Sequence, residues 1–310
     1  MKTKRLPINL NNISLKKSLK NNNKLRPTSN NFLISLLFLK EKYPNFDIIY
    51  EYKNNNDLIL EIGNKNNKIV FPYGKKNFTK ILKNLILNYS KTKPRFIILP
   101  IVIKFTQKYL FLLDKLNYHQ NVIIIDLKKK KAEYFEPHGG LYSKFFEKRK
   151  FTYHKENFFI QMFNNSLEMY DTISPIFKKL NLKFILPHHY LKLKDFQTIE
   201  AYIEPILEKK TSIRKTDIVG YCHNWCIWFV SLRLKYPDAD LKELIKKSHI
   251  ILKTKYTYKN FIRNYSKDIY KKNKKLLQKH KIWHKIFNND YKYDKTLKSL
   301  VEKKFTKNKY

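Results

Sequence analysis

Glycine is scarce in this sequence, five in 310 residues, and cysteine is scarcer, with two. Two cysteines exclude a disulfide framework, and the spacing of Cys222-His-Asn-Trp-Cys226 suggests one helix, not a bridge. A reducing, intracellular setting is the expectation. Long apolar runs are also missing. Phe32–Leu39 and Phe96–Ile103 fall well short of the ~20 residues that span a bilayer. The N-terminus has no apolar stretch of signal-peptide length, so a soluble chain with no membrane span is expected. Acids are the last deficit. Asp and Glu number 25 against 65 Lys and Arg, a formal charge of +40 that excludes an acidic or neutral enzyme of ordinary composition.

What is present argues for a folded protein. A hydrophobic content of 43%, with 15% aromatics, is ample for a packed core. Lys, Asn, Ile, Tyr and Phe are abundant and share AT-rich codons, so part of the basicity reflects codon bias, although bias leaves the shortage of acids unexplained. A chain of this charge is drawn to polyanions such as DNA, RNA or anionic membranes. The charge is also uneven: residues 1–31 contribute +8 and residues 241–310 contribute +17.

Residues 1–31 read as a basic flexible arm, with Asn runs and no acid. A helix is predicted from Phe32 to about Lys42, followed by strand-like pieces at Asp47–Tyr52, Leu58–Ile62 and Lys68–Tyr73. Asn-rich turns between them suggest a meander. Lys76–Tyr89 has a helical pattern. Phe96–Lys104 and Asn121–Asp126 are apolar on both faces, as central strands are. Phe158–Leu180 reads as mostly helical and Leu182–Leu186 as a short strand. Gly220 opens a helix from Tyr221 to about Leu234, and the chain from Leu241 onward is helical and basic. This mixed order of strands and helices argues for an α+β fold and against a doubly wound sheet.

Two clusters carry chemistry. The first is His119-Gln-Asn-Val-Ile-Ile-Ile-Asp126 followed by Tyr134-Phe-Glu-Pro-His-Gly139. If Asp126-Leu-Lys-Lys129 is a tight two-residue hairpin, His119 lies directly opposite Glu136 on the same face. An imidazole and a carboxylate so placed form the orienting half of a catalytic triad. Taken alone, the pair reads more readily as a surface His–Glu contact on a hairpin. His138 is a rival, displaced by Pro137 and Gly139 into the turn after the strand.

The second cluster is Asp217-Ile-Val-Gly-Tyr-Cys222-His-Asn-Trp-Cys226-Ile-Trp-Phe-Val-Ser-Leu-Arg233. Gly220 allows a tight turn that puts Cys222 in the first turn of the helix. There the dipole and backbone N–H groups favour a thiolate and offer an oxyanion hole. Trp225, Cys226, Phe229 and Val230 recur at helical spacing, so Cys226 reads as a small buried hydrophobe and Cys222 is the preferred nucleophile. Both cysteines as inert structural residues is the open alternative. A zinc site from His188, His189, Cys222, His223 and Cys226 is a weaker reading, because the ligands lack short paired spacings. No metal is therefore expected.

Together the motifs resemble the cysteine proteases of large DNA viruses. His-x-Asn-x-x-Ile-Ile-Asp, Phe-Glu-Pro-His-Gly and Gly-Tyr-Cys-x-x-Trp-Cys-x-Trp-Phe-x-x-x-Arg-Leu are similar to adenain, the adenovirus maturation protease, and more distantly to the SUMO-specific proteases. The poxvirus core-protein protease and the African swine fever virus polyprotein protease look like cousins. The likeness covers roughly residues 95–236. It implies a papain-like/adenain-like cysteine protease core, with a central mixed sheet and a nucleophile-bearing helix. The domain would span residues 32–240, with 241–310 a basic helical extension. Carried over, Cys222 is the nucleophile, His119 the general base and Glu136 its orienting acid. The family's oxyanion Gln has no counterpart within ten residues upstream of Cys222, and Gln197 is the nearest candidate. Gln120 stands where a Trp usually follows the His.

The resemblance further implies cleavage after small residues, often Gly-Gly, in a viral polyprotein or core protein. The expected location is the virion or a viral factory in the host cytoplasm. No cofactor is expected beyond a possible DNA or peptide activator, and nucleic acid is a partner through non-specific electrostatics. Removal of SUMO- or ubiquitin-like modifiers from host proteins is one alternative. A catalytically inactive, basic DNA-binding virion protein is another. A module that stacks single strands on some of the 22 Tyr and 22 Phe is the last.

Overall fold

The computed structural model describes residues 29–49, 59–63, 68–70, 79–80, 82–84, 86–88, 94–109, 113–140, 171–192, 194–204, 221–281 and 295–305. Most of the arm expected over 1–31, the Asn-rich turns, the first part of the helix expected at Phe158–Leu180, and Gly220 lie outside them.

The architecture is α+β: one mixed sheet with helices against both faces. The strands are β1 (Phe46–Ile48), β2 (Ile59–Gly63), β3 (Lys68–Val70), β4 (Phe96–Tyr109), β5 (Leu113–Asp126), β6 (Lys131–Phe135) and β7 (Lys183–Ile185). Their order is β3-β2-β4-β5-β6-β7, with β1 also on β4. β4 and β5 are the long antiparallel centre, paired from Phe96 with Asp126 to Tyr109 with Leu113. β1 runs parallel to the start of β4 and β2 parallel to its later part, so both occupy one edge. The expected meander is therefore corrected. β2 and β3 form the antiparallel pair, while β1 takes its ladder from β4, a partner some fifty residues away.

Alternation along the central strands explains why both faces are covered. Phe96, Ile98, Val122, Ile124 and Phe135 face a large core shared with the long helices. Ile97, Leu99, Ile101, Ile123, Ile125, Ala132 and Tyr134 face a second core with Ile173, Ile176 and Phe177, from the helix over 171–179.

The long helices are α1 (Ser29–Lys42), α2 (Cys222–Lys235), α3 (Leu241–Lys255), α4 (Tyr258–Lys279) and α5 (Lys295–Lys304). α2 is buried almost all round, as a helix sandwiched between a sheet and other helices must be. Its Phe229 stacks on Phe135 of β6 at 4.2 Å between centroids. At its far end Arg233, fully buried, donates from Nε to Glu133 Oε2 at 2.8 Å and from Nη2 to Oε1 at 3.2 Å. α3 and α4 are amphipathic and turn their apolar faces into the first core. Side-chain caps start both: Asp240 accepts from the Glu243 N–H, and Thr257 from the Asn260 N–H. Asn273 of α4 donates to Ser35 of α1 at 2.9 Å. Among the described residues no helix is long and apolar enough to cross a membrane.

Candidate active site

The β5–β6 connection is longer than a two-residue hairpin. The ladder pairs Asp126 with Lys131 and Val122 with Phe135, so residues 127–130 form the turn. Asp126 Oδ1 accepts from the Lys129 N–H at 3.0 Å, and Lys130 adopts φ 49°. Continued outward, this register sets His119 against His138, not Glu136. The slip is two residues, which preserves the side each residue faces; a slip of one would have separated them.

His119 and Glu136 still meet. The His119 Nε2–H donates to Glu136 Oε1 at 2.7 Å, and both side chains are buried. The same oxygen accepts from the His138 N–H at 3.0 Å. With Nε2 committed to Glu136, Nδ1 is the ring nitrogen left for the hydrogen bond His119 makes with Cys222. Burial acts to lower the His119 pKa. The Glu136 charge, the hydrogen bonds to Cys222 and Glu136, and the Cys222 charge outweigh it and raise it from 6.5 to about 10.

Cys222 opens α2, where the helix's positive end faces the sulfur. The backbone of Gln120, beside His119, meets both sulfurs. Its N–H donates to Cys222 Sγ at 3.5 Å, and its carbonyl accepts from Cys226 Sγ at 3.2 Å. Gln120 itself is anchored by its amide on the Ile101 and Asn121 carbonyls. Cys226 sits one turn deeper, fully buried. Burial, then the Cys222 and Glu136 charges, push its thiol well up, so it remains protonated.

The other histidines are placed differently. His138 packs 5.1 Å from the His119 ring, held neutral by burial and by the His119 charge. Its Nδ1 meets Thr198 Oγ1 at 3.1 Å. His223 lies edge-on to Phe32, and burial lowers it to about 3. His188 and His189 form a mutual ring pair on an exposed turn. Among the described residues no three His, Cys, Asp or Glu side chains gather as a metal site.

Gln197 lies on the short helix Phe196–Thr198, capped by Asp195. Its N–H donates to the Pro137 carbonyl at 2.9 Å, and its side chain is buried with Oε1 unpartnered among the described residues. The neighbouring Phe196 packs on Trp225 and Trp228 of α2. The helix thus bridges the Glu136 loop and the cysteine-bearing helix. Sequence reasoning missed Asp195, Thr198 and His249, which support this bridge. Only Asp195 carried a legible signal, as an acid placed to cap a helix start.

No family model matches the chain. It is similar to a protein of Acanthamoeba polyphaga mimivirus named for ankyrin repeats, 33% identical over 198 residues. That match takes in 62% of this chain and 22% of the relative, so the chain spans about a fifth of the relative's length. Among solved structures, ChlaDub1 of Chlamydia trachomatis overlaps 76% of this chain and 95% of its own at 15% identity, with a TM-score of 0.31. The Legionella pneumophila effector protein RavZ overlaps 90% of this chain and 91% of its own at 11% identity, with a TM-score of 0.29.

Proposed function

We propose that this chain is a thiol endopeptidase in which Cys222 is the nucleophile, His119 the acid–base group and Glu136 its orienting carboxylate. The observation that carries the reading is the position of the His119 ring, bonded to Glu136 through Nε2 at 2.7 Å and to Cys222 on its other side. A protonated imidazole beside a sulfur at a helix N-terminus is the arrangement from which a proton can be handed to a leaving amine.

In the proposed reaction the Cys222 sulfur attacks the scissile carbonyl carbon and the carbonyl electrons move onto oxygen. Gln197 and the first turn of α2 are the candidate oxyanion donors. The C–N bond breaks as the His119 imidazolium gives its proton to the leaving amine, which produces an acyl-enzyme. Water, deprotonated by the now neutral His119, attacks the thioester and releases the acid and Cys222.

The substrates in this reading are peptides with small residues before the cut, in structural or core proteins of a virus, at the virion or the viral factory. The likeness to a mimivirus protein supports a viral setting. DNA or a peptide is the candidate activator, and the +40 charge supports nucleic acid as a neighbour.

The test uses the whole chain, Gly-Gly-terminated fluorogenic peptides, and ubiquitin- and SUMO-like conjugates. Cys222→Ala and His119→Ala should each lower kcat/KM by at least about 10³-fold, while Cys226→Ser retains most activity. Loss of activity in Cys226→Ser alone would move the nucleophile. Conjugate cleavage without peptide cleavage would turn the reading to deconjugation. Turnover that survives Cys222→Ala would end the peptidase reading.

A further inference from the structure

The loop that carries Glu136 is held from outside the hairpin. The Asp195 N–H donates to the His138 carbonyl at 3.0 Å and the Gln197 N–H to the Pro137 carbonyl at 2.9 Å. Thr198 Oγ1 donates to that same His138 carbonyl at 2.9 Å, and the Gly140 N–H donates to the Lys192 carbonyl at 2.6 Å. The His138 N–H in turn holds Glu136 Oε1. Glu136 follows the last residue of β6, so its direction depends on the turn at residues 195–198 as much as on the sheet.

That turn depends on Asp195. Oδ1 accepts from the Phe196 N–H at 2.9 Å and Oδ2 from the Lys192 N–H at 2.7 Å, and the carboxylate is fully buried. The group that reaches it from a distant part of the chain is His249 of α3. Its Nε2 lies 2.9 Å from Oδ1, close in distance but off the direction of a hydrogen bond. The ring stacks on Phe196 at 4.6 Å and 9°. Its Nδ1 shares a hydrogen bond of 2.7 Å with the Tyr258 hydroxyl at the start of α4. Glu204, at the end of the π-helical turn Ile199–Ile203 that follows the short helix, caps α4 by accepting from the Tyr258 and Lys259 N–H groups at 2.6 and 2.9 Å.

We infer that His249 is a positioning residue for the candidate site: it holds Asp195 and Phe196, and so fixes the turn that aims the Glu136 carboxylate at His119. The inference rests on the peptidase reading. It makes α3 and α4 working parts of the site, although they follow the cysteine helix in sequence. Residues that support a catalytic group without touching substrate act in this way, by narrowing its geometry.

A purely structural histidine would change thermal stability and leave the His119 ionisation where it was. The groups facing His119 are Glu136, Cys222 and His138; those facing Asp195 are His249, Tyr190 and Tyr258. A shift in the alkaline limb caused by a change at residue 249 therefore has to travel through the Glu136 loop.

The experiment measures, on the whole chain, peptide turnover and the pH dependence of Cys222 alkylation by iodoacetamide, mapped by mass spectrometry. His249→Ala should lower kcat about 10- to 100-fold, hold KM within about twofold, and move the alkaline limb to lower pH. His249→Gln, whose amide can still approach Asp195, should recover most of the loss, and Tyr258→Phe should fall between. An unmoved limb and unchanged kcat in folded His249→Ala overturn the inference. If that variant does not fold, Tyr258→Phe decides: an unmoved limb there overturns it equally. Absence of selective Cys222 alkylation in the unmodified protein would instead defeat the peptidase reading beneath it.

Discussion

His119 Nε2 stands 2.7 Å from Glu136 Oε1 with both side chains out of solvent, and the carboxylate has one oxygen to spare: Oε2 has no partner among the described residues. An imidazole in such a place would lose its proton easily if burial acted alone. It keeps the proton because its interactions with Glu136 at Nε2 and with Cys222 beyond outweigh burial and favour the protonated ring. Two consequences can be measured.

The first concerns catalysis. Glu136→Gln preserves shape while removing the larger of the opposing charges, so burial regains weight and His119 deprotonates at lower pH. The alkaline limb of kcat/KM, expected near 10 for the unmodified protein, should move down, and the rate at neutral pH should fall by about 10²-fold or more. A pH–rate profile is the measurement. An unshifted limb in Glu136→Gln would show that another group sets it.

The second concerns stability. The folded protein binds the His119 proton more tightly than the unfolded chain, since the pKa is raised from 6.5 to about 10. This contribution is complete below about pH 6.5 and drains away as pH rises through about 10. Many Lys and Tyr side chains titrate in the same range, so the informative quantity is a difference. The decline of Tm between pH 7 and 10 should be steeper for the unmodified protein than for Glu136→Gln. Parallel curves would mean that the pair does not couple to folding.

How much of this could be read from the chain depends on sequence distance. α2 was legible because Trp225, Cys226, Phe229 and Val230 mark one face at helical spacing, and Phe229 does stack on Phe135. The parts of β4 and β5 at residues 96–104 and 121–126 are legible because residues such as Phe96, Ile97, Ile98 and Ile124, Ile125 are apolar in succession, which suits strands covered on both faces, whereas the ladder runs on to Tyr109 and Leu113. The β5–β6 turn differs by two residues from the expected hairpin, and Lys130 in it takes a left-handed φ that its residue type does not announce. The sequence order points β1 to a meander because neighbouring strands usually pair, whereas Phe46 pairs with Phe96. His249 was invisible for a similar reason: its contact with Asp195 spans more than fifty residues and follows from how α3 packs, not from any local pattern.

The buried pair of Arg233 and Glu133 joins the end of α2 to β6, a hundred residues away. Arg233 Nη1 also donates to the Tyr236 and Ala239 carbonyls at 3.2 Å each, closing the turn after α2. Arg233→Met leaves the buried Glu133 carboxylate with Lys131 as its remaining ion-pair partner and should cost about 1–3 kcal/mol. Arg233→Met with Glu133→Leu should recover part of that loss, because the buried carboxylate is gone and Lys131, partly exposed, can turn its ammonium to water. Urea unfolding of the three proteins measures this. Equal losses in the single and double variants would show that the carbonyl contacts, not the ion pair, are what matters.

Gly139 occupies the loop just beyond Glu136 at φ 112°, a backbone conformation that side chains rarely adopt. A Cβ there would sit 2.6 Å from the Lys192 carbonyl oxygen and 2.8 Å from the Asp195 backbone nitrogen. Backbone atoms cannot rotate away as a side-chain tip can, so the substitution has to push the turn at residues 195–198 off the Glu136 loop or change the loop's own path. Gly139→Ala should therefore lose about 1–3 kcal/mol of stability. It should also lose more turnover than the unfolded fraction accounts for, since the displaced turn is the one that holds His138 against Glu136. Thermal unfolding and kcat, both measured well below Tm, separate the two effects. A fully active Gly139→Ala protein with a lowered Tm would show that the turn supports the fold without steering the carboxylate.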